Sequence, residues 1–102
     1  MAKEIYSMGV WQIKQGKENE FISEWREFAK WTVGQQDGAS DGRLLRDITK
    51  NGRFASFGSW KSEEHSGKWR ESPVFKKFMA KAKELCEEAR IGTFEVVAHV
   101  TK

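Results

Sequence analysis

Residues 4–14, EIYSMGVWQIK, carry an aliphatic or aromatic side chain at more than half of their positions. A run of this length, rich in β-branched and aromatic residues, predicts a first strand. Alternation along a strand puts Ile5, Ser7, Gly9, Trp11 and Ile13 on one face, with Tyr6, Met8 and Val10 on the other. Gly16-Lys17 breaks the run, and from Lys17 to about Val33 the period becomes helical. Phe21, Trp25, Phe28 and Thr32 recur at helical spacing, flanked by Ile22, Ala29 and Val33. GQQDGASDG then reads as a loop. Two short strands follow, RLLRDITK and RFASFGSW, and Asn51-Gly52 between them predicts a tight hairpin turn.

Ser62 is placed to cap a short helix, with Glu63 and Glu64 in its first turn. Ser72 caps the next helix, and Pro73 takes its first position, where a missing N–H costs nothing. Phe75, Phe78, Met79, Ala82, Leu85, Cys86 and Ala89 form one stripe over four predicted turns. Ile91-Gly92 ends that helix, and TFEVVAHV supplies a last strand. The resulting order is βαββαβ with a helical insert. It predicts an α+β fold: a ferredoxin-like protomer with an antiparallel four-stranded sheet and two long helices on one face. Two helices cover only one face, yet the first strand is apolar on both, and Phe94, Val96, Ala98 and Val100 of the last strand add to the apolar surface. An apolar second face is an association surface. A homodimer with two sheets face to face, related by a two-fold axis, is therefore expected.

Composition narrows the class without naming an activity. The chain of 102 residues fits a single domain spanning 1–102. Lys and Arg total 18 against 15 Asp and Glu, and the signs are mixed, as in KKFMAKAKELCEEAR, which is the pattern of solvated helix faces. Nucleic acid is not an expected partner. An RNA platform needs two aromatics two residues apart on one strand face, whereas Phe54 and Phe57 point to opposite faces. The single cysteine, Cys86, excludes an intramolecular disulfide and reads as a buried small hydrophobe. MAKEIYSMGV has no secretory pattern, and no apolar run approaches the ~18 residues of a membrane span, so no membrane partner and a cytoplasmic location are expected. His65 and His99 are far apart and form no metal-ligand pair, and neither a phosphate-cradling loop nor a nucleophile elbow is present.

The chemistry-bearing part of the chain is 60–78, WKSEEHSGKWRESPVFKKF, with Phe57 just upstream. Trp60, Trp69, Phe75 and Phe78 concentrate around one strand–helix junction. Such a cluster is either a large core corner or a pocket for a flat apolar ligand. Trp69 falls between two helices and is the candidate pocket wall. Trp60, Phe75 and Met79 stand beside it, each equally at home in a core. Ser7 and Gly9 are small residues on the face of Trp11 and leave a gap that a ligand would fill. His65 lies between Trp60 and Trp69 and is the candidate proton acceptor, since an imidazole exchanges protons near neutral pH. Its plainer role is a solvent-exposed helix residue. His99 suits a surface or dimer edge, and Tyr6 suits core packing or donation to an oxyanion.

The element order, the strand pairing and the W-x-S … W-x-x-S-P-x-F pattern of residues 60–75 together resemble the antibiotic biosynthesis monooxygenase family, from about Glu4 to Val100. The resemblance implies a dimeric α+β barrel. It also implies a cofactor-independent monooxygenase, in which a small aromatic substrate of phenol or quinol type is deprotonated and its anion reacts with dioxygen. On this reading Trp69, Phe75 and Met79 wall the pocket with Trp60, Trp11, Ser7 and Gly9 lie opposite, and His65 takes the proton. Heme-degrading members of such families carry an Asn on the first strand, a Trp in the short helix and a His ten residues later. Here Trp69 matches, but Gly9 and Met79 stand at the other two positions, and a thioether is a weak substitute for an axial imidazole. Heme degradation therefore ranks below the cofactor-free reading. The alternative from another class is a barrel that binds a small ligand without turning it over.

Overall fold

In a computed structural model that describes residues 3–102, seven elements follow the chain. They are β1 (Ile5–Ile13), α1 (Glu18–Gln35), β2 (Arg43–Arg46), β3 (Arg53–Trp60), α2 (Glu63–Glu71), α3 (Pro73–Leu85) and β4 (Cys86–Glu95). The strands form one antiparallel sheet in the order β2-β3-β1-β4. This is the expected split-βαβ arrangement, with β1 and β3 central and α1 and α3 packed on one face.

Register fixes which side chains face the helices. Trp11 lies opposite Phe54, Gly9 opposite Ser56, and Ile5 opposite Trp60. All six are buried, as the period-two reading requires. Phe21 of α1 is fully enclosed, with its ring 5.3 Å from Trp11 and 6.0 Å from Phe54. Phe28 of α1 stacks on Phe78 of α3 at 4.2 Å and nearly parallel. These rings join helices to sheet and form the centre of the core.

Both predicted caps are made. Ser62 Oγ accepts from the His65 backbone N–H, Ser72 Oγ accepts from that of Phe75, and Pro73 opens α3. Four features differ from the sequence reading. First, α3 stops at Leu85, so Cys86 and Ala89 belong to β4, paired with Ile13 and Trp11. Cross-strand pairing with β1 overrides the helix propensity of CEEAR. Second, β2 ends at Arg46, and the hairpin loop spans residues 47–52 instead of turning on Asn51-Gly52 alone. Asp47 Oδ1 accepts from the backbone N–H groups of Thr49 and Lys50 and shapes that loop, while Gly52, at φ 77°, supplies the left-handed step back into β3. Third, the last strand closes at Glu95, not Val100. The Val96 N–H still donates to the Glu4 carbonyl at 2.9 Å, and beyond it the chain leaves the sheet with Val97 and Val100 89% and 90% exposed. Fourth, α1 runs on to Gln35, two residues past Val33.

The face away from the helices is apolar and uncovered. Met8, Val10, Leu45 and Phe94 are exposed there, and Tyr6 and Phe57 are half-buried. Among the described residues, no helix is long and apolar enough to cross a membrane.

Candidate functional site

A cleft opens between the helix-covered face of the sheet and the helices above it. Trp11, Ser7 and Gly9 of β1 with Ser56 and Trp60 of β3 form its floor. Phe28 and Thr32 of α1, Trp69 of α2, and Phe75 and Met79 of α3 form its roof. Its cavity volume is about 70 Å³, and its mouth is open to solvent. That is a narrow slot, suited to a flat ring more than to a bulky ligand.

The aromatic walls are built from two directions. Trp60 ends β3 and faces inward because the strand alternates from Phe54 through Ser56 and Gly58. Trp69 lies in the last turn of a helix only nine residues long, set between the caps Ser62 and Ser72. Its ring lies 5.0 Å from Trp60, 4.8 Å from Phe75 and 5.6 Å from Phe28, the last stacked. The Ser72 hydroxyl donates to the Trp69 carbonyl at 2.8 Å and its backbone N–H donates to the same oxygen, which fixes the corner between α2 and α3.

Four tryptophans line the cleft, Trp11, Trp25, Trp60 and Trp69, and three of them donate the indole N–H to a hydroxyl. Trp11 Nε1 donates to Ser56 Oγ at 3.0 Å, Trp60 Nε1 to Ser7 Oγ at 3.1 Å, and Trp69 Nε1 to Thr32 Oγ1 at 2.9 Å. All three hydroxyl residues line the cleft. A buried indole N–H is costly without a partner, so these bonds set the ring orientations. Spacing placed Thr32 on the inward stripe of α1, but nothing in the sequence marked Ser56 or the hydrogen bonds that either residue makes. The only available signal was that each is a polar residue at a position whose neighbours in the pattern are apolar and buried.

Gly9 is required at its position. A Cβ there would come within 2.7 Å of the Trp11 indole, which lies across it. The gap expected above Ser7 and Gly9 is thus partly filled by Trp11 itself. The same contact bears on heme. An asparagine at position 9 does not fit beside the Trp11 ring as it stands, and Met79 offers only a thioether. The residues present do not match a heme-degrading site.

All seven expected binding residues, Trp69, Phe75, Met79, Trp11, Ser7, Gly9 and Trp60, lie in the lining of this one cleft. His65, the expected proton acceptor, is not among the lining residues. It sits in the first turn of α2, where its Nδ1 is 2.6 Å from the Ser62 hydroxyl and its ring lies against Gly38. The bond to the Ser62 cap holds the imidazole against the loop before β2. The charged residues of the lining are Asp41 and Arg70, both exposed. Asp41 accepts from the Ser59 hydroxyl at 3.0 Å, and Arg70 donates to Thr93 Oγ1 at 3.2 Å. Cys86 is buried outside the cleft, and burial pushes its thiol up to about 11. Among the described residues, no group of three or more His, Cys, Asp or Glu side chains is arranged to hold a metal ion.

No curated protein matches the chain at a significant level. Solved structures match its fold over nearly their whole length. SnoaB, a cofactor-independent oxygenase from Streptomyces nogalater, aligns with a TM-score of 0.85 at 19% identity, covering 99% of this chain and 100% of its own. A conserved protein from Methanosarcina mazei Go1 aligns at 0.81 and 19% identity, covering 90% and 91%. PA3566 from Pseudomonas aeruginosa aligns at 0.78 and 14% identity, covering 96% and 98%. At such identities these likenesses concern the fold. The sequence model of the antibiotic biosynthesis monooxygenase family matches residues 5–81, from the start of β1 into α3, and the chain belongs to that family.

Proposed function

We propose that the chain is a cofactor-independent monooxygenase, acting with dioxygen on a small, flat, electron-rich aromatic of phenol or quinol type bound in the cleft. The observation that carries this reading is the composition of the slot. Trp11, Trp60 and Trp69 wall it with Phe28, Phe75 and Met79, and its buried polar atoms are hydroxyls hydrogen-bonded to the rings. Such a lining binds a planar ring by area and stacking and orients it through few polar contacts. Family membership and the fold shared with a cofactor-independent oxygenase support the same class of chemistry. The protein's part is to exclude water, hold the substrate anion in one orientation and leave space for dioxygen beside it.

The test is oxygen uptake by chelator-treated protein supplied with a naphthohydroquinone, measured against the same reaction without protein. Catalysed uptake that falls at least tenfold in Trp69→Ala supports the reading, and uptake at the uncatalysed rate ends it. One observation favours a second reading, a ligand-binding barrel without turnover: the cleft lining includes no histidine. Tight ring binding with no catalysed uptake selects that alternative.

The working unit in this reading is a homodimer. Tyr6, Met8, Val10, Leu45, Phe57 and Phe94 form an apolar sheet face that a second copy covers, with the exposed Val97 and Val100 segment at its margin. Sedimentation at micromolar concentration gives twice the protomer mass if this is right, and a protomer mass if it is not.

A further inference from the structure

The three indole–hydroxyl bonds have a chemical remainder. A Ser or Thr hydroxyl has one donor and two acceptor positions. In each pair the oxygen accepts the indole N–H, so the bond uses an acceptor position and leaves the O–H to donate elsewhere. Ser56 and Thr32 are 7% and 8% exposed, and both face the cleft. No protein acceptor is assigned to the O–H of Ser56, Thr32 or Ser7 among the side-chain hydrogen bonds of the described residues. Accepting from an indole also polarises a hydroxyl and strengthens it as a donor. Ser7 and Ser56 sit on the floor, on neighbouring strands and two registers apart, since Ser7 pairs with Gly58 and Gly9 with Ser56. Thr32 sits in the roof on α1.

We propose that Ser56 and Thr32, seconded by Ser7, donate their hydroxyl protons to an oxyanion of the bound aromatic, so that the cleft selects a ring bearing an ionisable hydroxyl and holds it as its anion. This rests on the reading of the cleft as an aromatic-ligand site. It assigns the activation of the substrate to neutral donors in the floor and roof, with no side-chain base. The ligand's O–H bond breaks, its electron pair stays on the ring oxygen, and the proton leaves to water at the open mouth. Buried donors aimed at one oxygen favour the charged form of a ligand as they favour a buried carboxylate. The charged groups facing the cleft are Arg70 from α2 and Asp41 from the loop before β2. Both are exposed and engaged by Thr93 and Ser59, respectively.

The experiment is a spectroscopic titration of 1-naphthol, whose neutral and ionised forms absorb differently, with 1-methoxynaphthalene as a partner ligand of similar shape that has no proton to lose. With the unmodified protein, bound 1-naphthol is expected to ionise at least one pH unit lower than free 1-naphthol, a tenfold preference for the anion. Ser56→Ala and Thr32→Val, which also unpair the Trp11 and Trp69 indoles, each remove most of that shift and weaken the naphtholate more than they weaken 1-methoxynaphthalene, and Thr32→Ser, which keeps the hydroxyl, restores it. Arg70→Gln leaves the shift in place. Binding of both compounds with no shift overturns the donor role and spares the aromatic site. Equal losses for both compounds in Ser56→Ala and Thr32→Val also overturn it, leaving those hydroxyls as supports for the rings. A shift abolished by Arg70→Gln transfers the role to the guanidinium. Binding of neither compound removes the aromatic-site reading and this inference together.

Discussion

The two faces of the sheet are made from the same strands and are both apolar, yet they are built differently. On the helix side, the rings of the cleft floor and roof meet one another in defined pairs. Trp11 meets Phe21 and Phe78, Trp60 meets Trp69, and the indole N–H groups of Trp11, Trp60 and Trp69 each have a hydroxyl. On the other side, Met8, Val10, Leu45 and Phe94 stand exposed, and the one ring pair is Tyr6 with Phe57 at 6.3 Å. Apolar area alone is permissive, because it fits many partners. Area combined with directed hydrogen bonds specifies one arrangement. The helix side therefore encodes a shaped slot, and the opposite side presents apolar area without such directed geometry.

Substitutions can separate the two. The largest effect belongs to Phe21→Ala on the helix side. It empties a fully enclosed site between Trp11 and Phe54 and costs about 3–5 kcal/mol, read as a lower urea midpoint. Val10→Lys on the opposite face, where Val10 is exposed in the protomer, changes protomer stability by less than about 0.5 kcal/mol. It weakens self-association by about thirtyfold or more, the effect of about 2 kcal/mol at a central interface position. Sedimentation across a concentration series reads this, and an unchanged dimer would place the interface elsewhere. Gly9→Ala drives a methyl into the Trp11 ring and costs about 1–3 kcal/mol, with a change in tryptophan fluorescence. Ser72→Ala removes the cap of α3 and costs about 1 kcal/mol.

The smallest effect is the pH response of Cys86. Burial raises its thiol from an ordinary 9.0 to about 11. The folded state therefore favours the neutral thiol, and this contribution is fully present below pH 9. It is lost as pH rises through the interval from 9 to about 11, where the unfolded chain ionises first. Urea midpoints of the native protein fall more steeply across that interval than those of Cys86→Ala.

The fold was legible where local signals agreed. RFASFGSW predicts a strand over 53–60, and β3 occupies Arg53–Trp60. Ser62, Ser72 and Pro73 mark their helix starts where the caps form. Legibility failed where distant pairing decided the outcome. CEEAR continues the helical stripe by spacing and becomes a strand because β1 offers an edge. The walls of the cleft were legible because aromatic and small residues cluster in the sequence. Its polar atoms were not, since Ser56 and Thr32 acquire meaning only when folding sets each against an indole from another element. His65 misled for a related reason. Its neighbours in sequence, Trp60 and Trp69, face the slot, but the turn that begins α2 binds its ring to Ser62.

Gly9 has a consequence reaching beyond this chain. With the flat of the Trp11 indole occupying the volume where a side chain at position 9 would begin, the two positions share one parcel of space. A larger residue at the first would call for a smaller ring at the second, or for that ring to turn aside. The width of the slot would then be retuned by paired exchanges along a single strand, while the helices above stayed where they are.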